Sequence, residues 1–407
     1  MNVMSENLME TLYKKKIDGL NILNIEDAKN LKKEWEKKNN STEDFADKVV
    51  FITGVTGQDG SHMVDYLLNN TKALIFGGVR RLSVNNHSNI NHISSSRFNL
   101  VNFDLTDAHA ISSIVEKLKP DYFINFAAQS FVASSWDFAR QTWQTNSTAV
   151  LDILEAIRQY KPSCRFYNAG SSEEFGNVTY SPQDENHPLR PRSPYGASKA
   201  AARQIVKVYR DSYNLYAIQG WLFNHEGPRR GEEFVTRKIT KGVARIAYSI
   251  KHQIPFSPIE LGNIYAKRDW SDSEDFMECV WMMLNQEKFR TDYNNTKKVN
   301  EYVLSSNQTH TIKEFIEKAF TAAGIEGVWH GESLLEEYGF TTKSAHDLNI
   351  PSSVLVKINS NFYRPAEVDL LLGNSDKFRT EFNWKPKTTF DRLVTKMVQN
   401  DLKLLGL

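Results

Sequence analysis

The chain has 407 residues, 40% of them hydrophobic, and a formal net charge of +1. That allows a large buried core and excludes the basic field that holds nucleic acid and the polybasic run that holds a membrane. Two cysteines, Cys164 and Cys279, exclude a disulfide framework and a structural zinc site, and no run approaches the roughly 18 apolar residues of a membrane span, so a cytoplasmic protein with small-molecule partners is expected.

Residues 1 to 46 are rich in Lys, Glu and Asn, with Leu20, Ile22, Leu23, Ile25, Ala28, Leu31 and Trp35 at loosely helical spacing. This predicts a helical extension outside the main domain. From Lys48 onward, short apolar runs alternate with helical stretches: Val49 to Thr53, Ala73 to Val79, Asn99 to Phe103, Tyr122 to Phe126 and Arg165 to Ala169. Such alternation predicts a doubly wound α/β domain, a Rossmann-type parallel sheet covered on both faces, over residues 47–224. Further strands fit Tyr216 to Phe223 and Asn300 to Leu304, and a helix fits Ile312 to Ala323. Residues 225–407 read mainly as a smaller, mixed α/β substrate lobe, with some segments returning to the sheet.

Gly54-Val55-Thr56-Gly57-Gln58-Asp59-Gly60 follows the first apolar strand directly and leads into His62-Met63-Val64, which continues as a helix. A glycine loop in that context turns backbone N–H groups and a helix amino terminus toward an anion, for which a dinucleotide pyrophosphate is the natural choice. Where an acidic residue would accept from the ribose hydroxyls of NAD, the chain places Arg80 and Arg81, which suit the 2′-phosphate of NADP. Asp104 and Leu105 after the third strand, and Ala127-Ala128-Gln129-Ser130 after the fourth, complete the expected cofactor surface.

Tyr195 and Lys199 stand one helical turn apart in Tyr195-Gly196-Ala197-Ser198-Lys199. An ammonium beside a phenol favours phenolate, drawing a tyrosine pKa down from about 10 and making a general base for a sugar hydroxyl. The fifth strand leads into Ser171-Ser172-Glu173-Glu174. Loss of water next to a new ketone needs a base for the α-carbon proton and an acid for the leaving hydroxyl, and Glu173 can serve as both.

These motifs, together with Phe223-Asn224-His225-Glu226, Pro228-Arg229-Arg230-Gly231, Thr236-Arg237-Lys238, Arg268-Asp269-Trp270 and Tyr363-Arg364-Pro365-Ala366-Glu367, resemble the extended short-chain dehydrogenases and, within them, the GDP-mannose 4,6-dehydratase family. The resemblance runs from Val49 to about Pro386. It implies Ser171, Glu173, Tyr195 and Lys199 as the catalytic set, with Ser171 in the place of a Thr. It implies that His225 and Arg230 touch NADP, and that Asn224, Lys238, Arg268, Arg364 and Glu367 hold a GDP-sugar. A homodimer or homotetramer and a place in deoxysugar synthesis leading to GDP-fucose are implied too. Phe131, Phe175, Tyr265 and Ser271 depart from the family pattern and leave the hexose open. The rival readings are a dehydratase of another GDP-sugar, a nucleotide-sugar 4-epimerase or 4-reductase, for which Glu173 has no purpose, and a non-catalytic NADP-binding sensor.

Overall fold

The computed structural model describes residues 22–39, 45–81, 86–290, 299–341, 354–362 and 370–407. They form two compact units, one comprising residues up to 171 with 194–220 and 277–301, the other 172–193, 221–276 and 302–407.

The first unit is built on a parallel sheet. Its strands are β1 (Ile22–Leu23), β2 (Val49–Thr53), β3 (Leu74–Val79), β4 (Phe98–Asn102), β5 (Tyr122–Asn125), β6 (Arg165–Ala169) and β7 (Ala217–Leu222), in the spatial order β1-β4-β3-β2-β5-β6-β7. Every residue of β2 and β3 is buried, which is why these strands read as unbroken apolar runs rather than as alternation. The helices Gln58–Asn70, Ala108–Leu118, Ala149–Tyr160 and Pro194–Tyr213 connect the strands. Phe51, Phe76, Phe123 and Phe166 from the sheet share one core with Ile111, Ile114, Ile153, Leu154 and Val206 from the helices. The chain runs outward from β2 through β3 and β4, then returns to β5 on the other side of β2. That reversal opens a crevice at the carboxyl end of β2, the usual ligand position in an open α/β sheet.

The amino-terminal extension differs from its expected form. Ile22–Leu23 is a strand, paired in parallel with Leu100 and Val101 of β4, and the helix Ile25–Lys38 follows it. Asn24 starts that helix by accepting hydrogen bonds from the Glu26 and Asp27 amides. Leu23, Ala28 and Leu31 are buried in the same core as the central strands. Residues 22–38 are therefore built into the sheet domain, because the helix buries one apolar face and a two-residue strand covers the β4 edge.

In the second unit the strands are short: β8 (Asn224–Glu226), β9 (Ile259–Leu261), β10 (Lys267–Arg268), β11 (Trp270–Asp272), β12 (Val303–Leu304), β13 (His310–Thr311), β14 (Gly327–His330), β15 (Glu337–Phe340), β16 (Val354–Ile358) and β17 (Leu370–Leu371). They form a mixed sheet β14-β15-β16-β9, a three-stranded sheet β13-β10-β17 and the pair β8-β11, while Trp221 and Leu222 at the end of β7 pair with β12. The helices Val235–Lys251, Ile312–Ala322 and Phe390–Leu404 bury Ile239, Val243, Phe315, Phe320, Leu393 and Met397 in a separate core. Thr311 and Thr389 cap the last two helices through their hydroxyls.

Candidate active site

In the first unit the chain leaves β2 at Gly54, whose φ of +70° only glycine adopts without strain. A Cβ on Gly54 would lie 2.8 Å from the Ala127 nitrogen, and one on Gly60 would lie 2.3 Å from the Gly54 carbonyl oxygen. The loop is thus as tight as backbone allows. The helix Gln58–Asn70 begins at Gly57 without a side-chain cap, unlike the helix Ala108–Leu118, which Asp107 caps through the His109 and Ala110 amides. Its first-turn N–H groups, beside three glycines that carry no Cβ (Gly54, Gly57 and Gly60), are donors suited to a pyrophosphate. Thr56 is held by its carbonyl oxygen, which accepts from Asn89 Nδ2 at 3.0 Å.

Other expected cofactor residues line the strand ends of this unit. Arg80 and Arg81 follow β3 and are exposed, and Leu105 is buried after β4. Asp104 Oδ1 accepts from the Thr106 amide and hydroxyl at 2.9 and 2.8 Å, which fixes the turn it sits in. After β5, the Ala127 amide donates to Thr53 Oγ1 at 3.0 Å and the Gln129 amide to Asn146 Oδ1 at 2.9 Å. Ser130 is exposed.

Tyr195 and Lys199 lie on the helix Pro194–Tyr213 and are 8% and 4% exposed, buried enough for their charges to act on each other with little screening. Lys199 Nζ is 6.0 Å from the centre of the Tyr195 ring and donates to the Ala169 carbonyl oxygen at 2.7 Å. Ser171 follows two residues later and is half-buried.

Asn146 was not anticipated from the sequence. It is buried in a π-helical stretch, Gln144–Thr148, and its Nδ2 donates to the Gln129 carbonyl oxygen at 3.0 Å and to Ser198 Oγ at 3.3 Å. Ser198 Oγ in turn donates to the Tyr195 carbonyl oxygen at 2.7 Å. The loop after β5 and the tyrosine helix are clasped through one side chain, at the kind of helix irregularity that functional sites often carry. The only available signal was the polar run Gln144-Thr145-Asn146-Ser147-Thr148 ahead of an apolar helix.

In the second unit, Glu173 lies in the helical turn Ser172–Glu174 and is half-buried, whereas Glu174 is wholly buried. The two adjacent carboxylates therefore face different surroundings. Asn224 opens β8, and its Oδ1 is buried with no hydrogen-bond partner among the described residues. An orphaned acceptor of that kind is costly unless a ligand donates to it. His225 Nδ1 lies 2.8 Å from the Phe223 carbonyl oxygen, and its ring packs on Phe276 at 5.2 Å. Arg230 lies over the Phe234 ring at 3.5 Å, with Nε 3.1 Å from Glu226 Oε2.

Lys238 places its ammonium 3.8 Å from the centre of the Phe362 ring, and burial lowers its pKa while Glu260 opposes that change. It lines a cleft of about 690 Å³ with Lys241, Arg245, Tyr248 and Glu260. Arg268 on β10 is half-buried and donates to the Lys267 carbonyl oxygen at 2.9 Å. Arg364 and Glu367 lie outside the described residues. Among the departures from the family pattern, Phe175 is fully buried and stacked on Trp221 at 5.8 Å, so it fills core space where a hydroxyl would need a partner. Tyr265 is exposed and donates to Glu336 Oε2 at 2.6 Å, Ser271 is buried in β11, and Phe131 is half-buried.

A family model described as GDP-mannose 4,6 dehydratase matches residues 51–397. The chain belongs to that family. It is 40% identical over 383 residues to the GDP-mannose 4,6 dehydratase of Drosophila melanogaster, covering 91% of each chain. It is 37% identical over 366 residues to that of Homo sapiens, covering 88% of this chain and 92% of the other. A solved dTDP-glucose 4,6-dehydratase from Bacillus anthracis, in complex with NAD, superposes with a TM-score of 0.68 at 21% identity, over 88% of this chain and 97% of that one. At that identity the likeness extends to the fold.

Proposed function

We propose that this chain is a cytoplasmic NADP-dependent enzyme that converts GDP-mannose into GDP-4-keto-6-deoxymannose. The observation that carries the reading is the conjunction of a buried Tyr195–Lys199 pair with Glu173, which the chain itself holds two residues beyond Ser171. Gly54, Thr56, Gly57, Gln58, Asp59 and Gly60 would hold the pyrophosphate of NADP, with Arg80 and Arg81 on the 2′-phosphate. When bound, NADP would supply a hydride acceptor at C4 of the sugar and return the hydride to C6.

Tyr195 takes the proton of the C4 hydroxyl, helped by Lys199, whose charge favours the phenolate. Ser171 donates a hydrogen bond to the C4 oxygen as it becomes a ketone, which acidifies C5. Glu173 removes the C5 proton, then delivers a proton to the departing C6 hydroxyl. C5 then takes up a proton from the Tyr195 phenol, which exchanges with solvent, and this regenerates the phenolate and leaves the proton count balanced with loss of one water. Asn224 Oδ1, Lys238 and Arg268 contact the GDP-sugar, the cations suiting its diphosphate, and Arg364 and Glu367 are assigned to the same substrate.

Incubation with GDP-mannose and NADP in deuterated water should give a product one water lighter that carries deuterium at C5, read by mass spectrometry. Failure to dehydrate GDP-mannose or a related GDP-sugar would overturn the reading. Glu173→Gln should abolish dehydration while transient reduction of NADP persists, an outcome that separates a dehydratase from a 4-epimerase.

Two neighbouring helices of the first unit expose Leu151, Val208 and Tyr213, and Trp143 before them is 47% exposed. Apolar groups collected this way support a homodimer or homotetramer. Light scattering should give a mass at least twice that of the chain.

A further inference from the structure

Four buried polar side chains cross the first unit's sheet in register. Thr53 on β2 is the partner of Asn125 on β5, Asn125 of Asn168 on β6, and Asn168 of Gln219 on β7. All four are 2% exposed or less, although their strands are otherwise largely apolar. Residues in register on adjacent parallel strands point to the same face with strands about 4.8 Å apart, a gap that a short side chain bridges with a hydrogen bond.

The bonds run in one direction. The Ala127 amide donates to Thr53 Oγ1 at 3.0 Å, and Thr53 Oγ1 donates to Asn125 Oδ1 at 2.6 Å. Asn125 Nδ2 donates to Asn168 Oδ1 at 2.8 Å, and Asn168 Nδ2 to Gln219 Oε1 at 2.6 Å. Gln219 Nε2 closes the chain by donating to the Lys199 carbonyl oxygen at 2.9 Å. Each amide accepts on one side and donates on the other, an arrangement in which successive bonds polarise one another.

Both ends of this chain are at functional elements. Ala127 is the residue against which Gly54 packs so closely that a Cβ would overlap it, and Lys199 is the ammonium residue of the tyrosine helix. The Lys199 end is braced twice more. Lys199 Nζ donates to the Ala169 carbonyl oxygen, next in sequence to Asn168. Arg203, one turn along the helix, donates to the Gln219 carbonyl oxygen at 2.6 Å and to Glu301 Oε2 at 2.9 Å. A fold could fill these strand positions with Val or Ile at no polar cost, so the buried amides call for a reason beyond packing.

We propose that Asn125, Asn168 and Gln219 are positioning residues for the reaction, a hydrogen-bonded bar that fixes the backbone of Lys199 relative to the glycine loop. The inference rests on the reading of Tyr195 and Lys199 as the base pair of the reaction. Their separation sets how strongly the ammonium favours phenolate, and a displacement of about 1 Å in such a set is enough to cost up to a hundredfold in rate.

The test is titration of the Tyr195 phenolate by difference absorbance in the NADP-loaded protein, with Tyr195→Phe as the blank. Asn168→Leu, which breaks the bar in the middle at similar size, should raise the pH of phenolate formation by about one unit and lower kcat on GDP-mannose about tenfold, with KM changed less than about twofold. Gln219→Asn, which keeps an amide but shortens its reach to Lys199, should shift the titration the same way. The double variant Asn168→Gln with Gln219→Asn keeps the number of amides and methylenes and should return most of the loss.

Unchanged titration and unchanged kcat per folded molecule in Asn168→Leu, whatever happens to its unfolding midpoint, overturns the proposal. Should Asn168→Leu fail to fold, an unchanged titration in Gln219→Asn overturns it equally. The titration needs no sugar, so a wild-type protein inactive on GDP-mannose counts against the substrate reading while the phenolate shift still decides this one.

Discussion

The two units place their polar groups by different means. In the first, the glycine loop presents backbone donors on the end of a fully buried strand, and the side chains behind it are neutral amides bonded in series. In the second, buried charges tie elements together: Arg237 on the helix Val235–Lys251 pairs with Asp401 on the helix Phe390–Leu404, and Asp269, between β10 and β11, accepts from the Ser306 amide and hydroxyl at 2.7 and 2.6 Å and from the Gly373 amide at 3.3 Å. The first arrangement tolerates no added atom; the second depends on ionisation state. A backbone cradle is sensitive to volume, and a buried carboxylate is sensitive to pH.

The sharpest way to break the comparison is Gly60→Ala. With a backbone oxygen 2.3 Å from the new Cβ, the loop must open, and a loss of about 4 kcal/mol in cofactor binding or folding is expected, read by NADP titration calorimetry and by denaturant unfolding. Arg203→Met tests whether the first unit is as independent of charge as its amides suggest. Removing the guanidinium leaves the largely buried Glu301 with Arg210 as its ion-pair partner and the Gln219 amide as a donor, so about 3 kcal/mol of stability should be lost in urea.

Asp269 gives the pH-dependent counterpart in the second unit. Burial raises its pKa from 3.8 to about 6, against the opposing hydrogen bonds from Ser306 and Gly373. The folded state therefore holds a proton that the unfolded state has released, so its contribution is fully present below about pH 4 and is lost as pH rises through about 6, by about 3 kcal/mol at most. Asp269→Asn should flatten that limb of the stability profile, measured by urea unfolding at a series of pH values. An unaltered slope would show that the carboxyl is ionised throughout.

Leu31→Ala is the milder test of whether the amino-terminal helix belongs to the sheet domain's core. Leu31 is 6% exposed, and its truncation should cost about 2 kcal/mol in the same unfolding transition as the rest of the unit. A separate, earlier transition would mark the helix as an appendage. The smallest expected effect is at Lys238. Since burial already lowers its pKa, GDP affinity measured by calorimetry should fall about tenfold in Lys238→Met and should weaken in the wild type as pH rises into the alkaline range.

The amino-acid sequence by itself determined the parallel sheet, the glycine loop and the Tyr195–Lys199 spacing, because each is a local pattern: apolar runs of strand length, glycines at fixed offsets, two side chains one helical turn apart. Local periodicity could not show that Ile22–Leu23 would leave the helical pattern to pair with β4, since an edge strand of two residues is defined by its partner 78 positions away. Nor could it show which of Glu173 and Glu174 would be buried, or that Asn146 would clasp Gln129 to Ser198. Only the tertiary structure aligned Thr53, Asn125, Asn168 and Gln219, four polar residues scattered through apolar runs that read singly as imperfections. Sheet register decides whether such residues meet, and register is a property of strands brought together from distant parts of the chain.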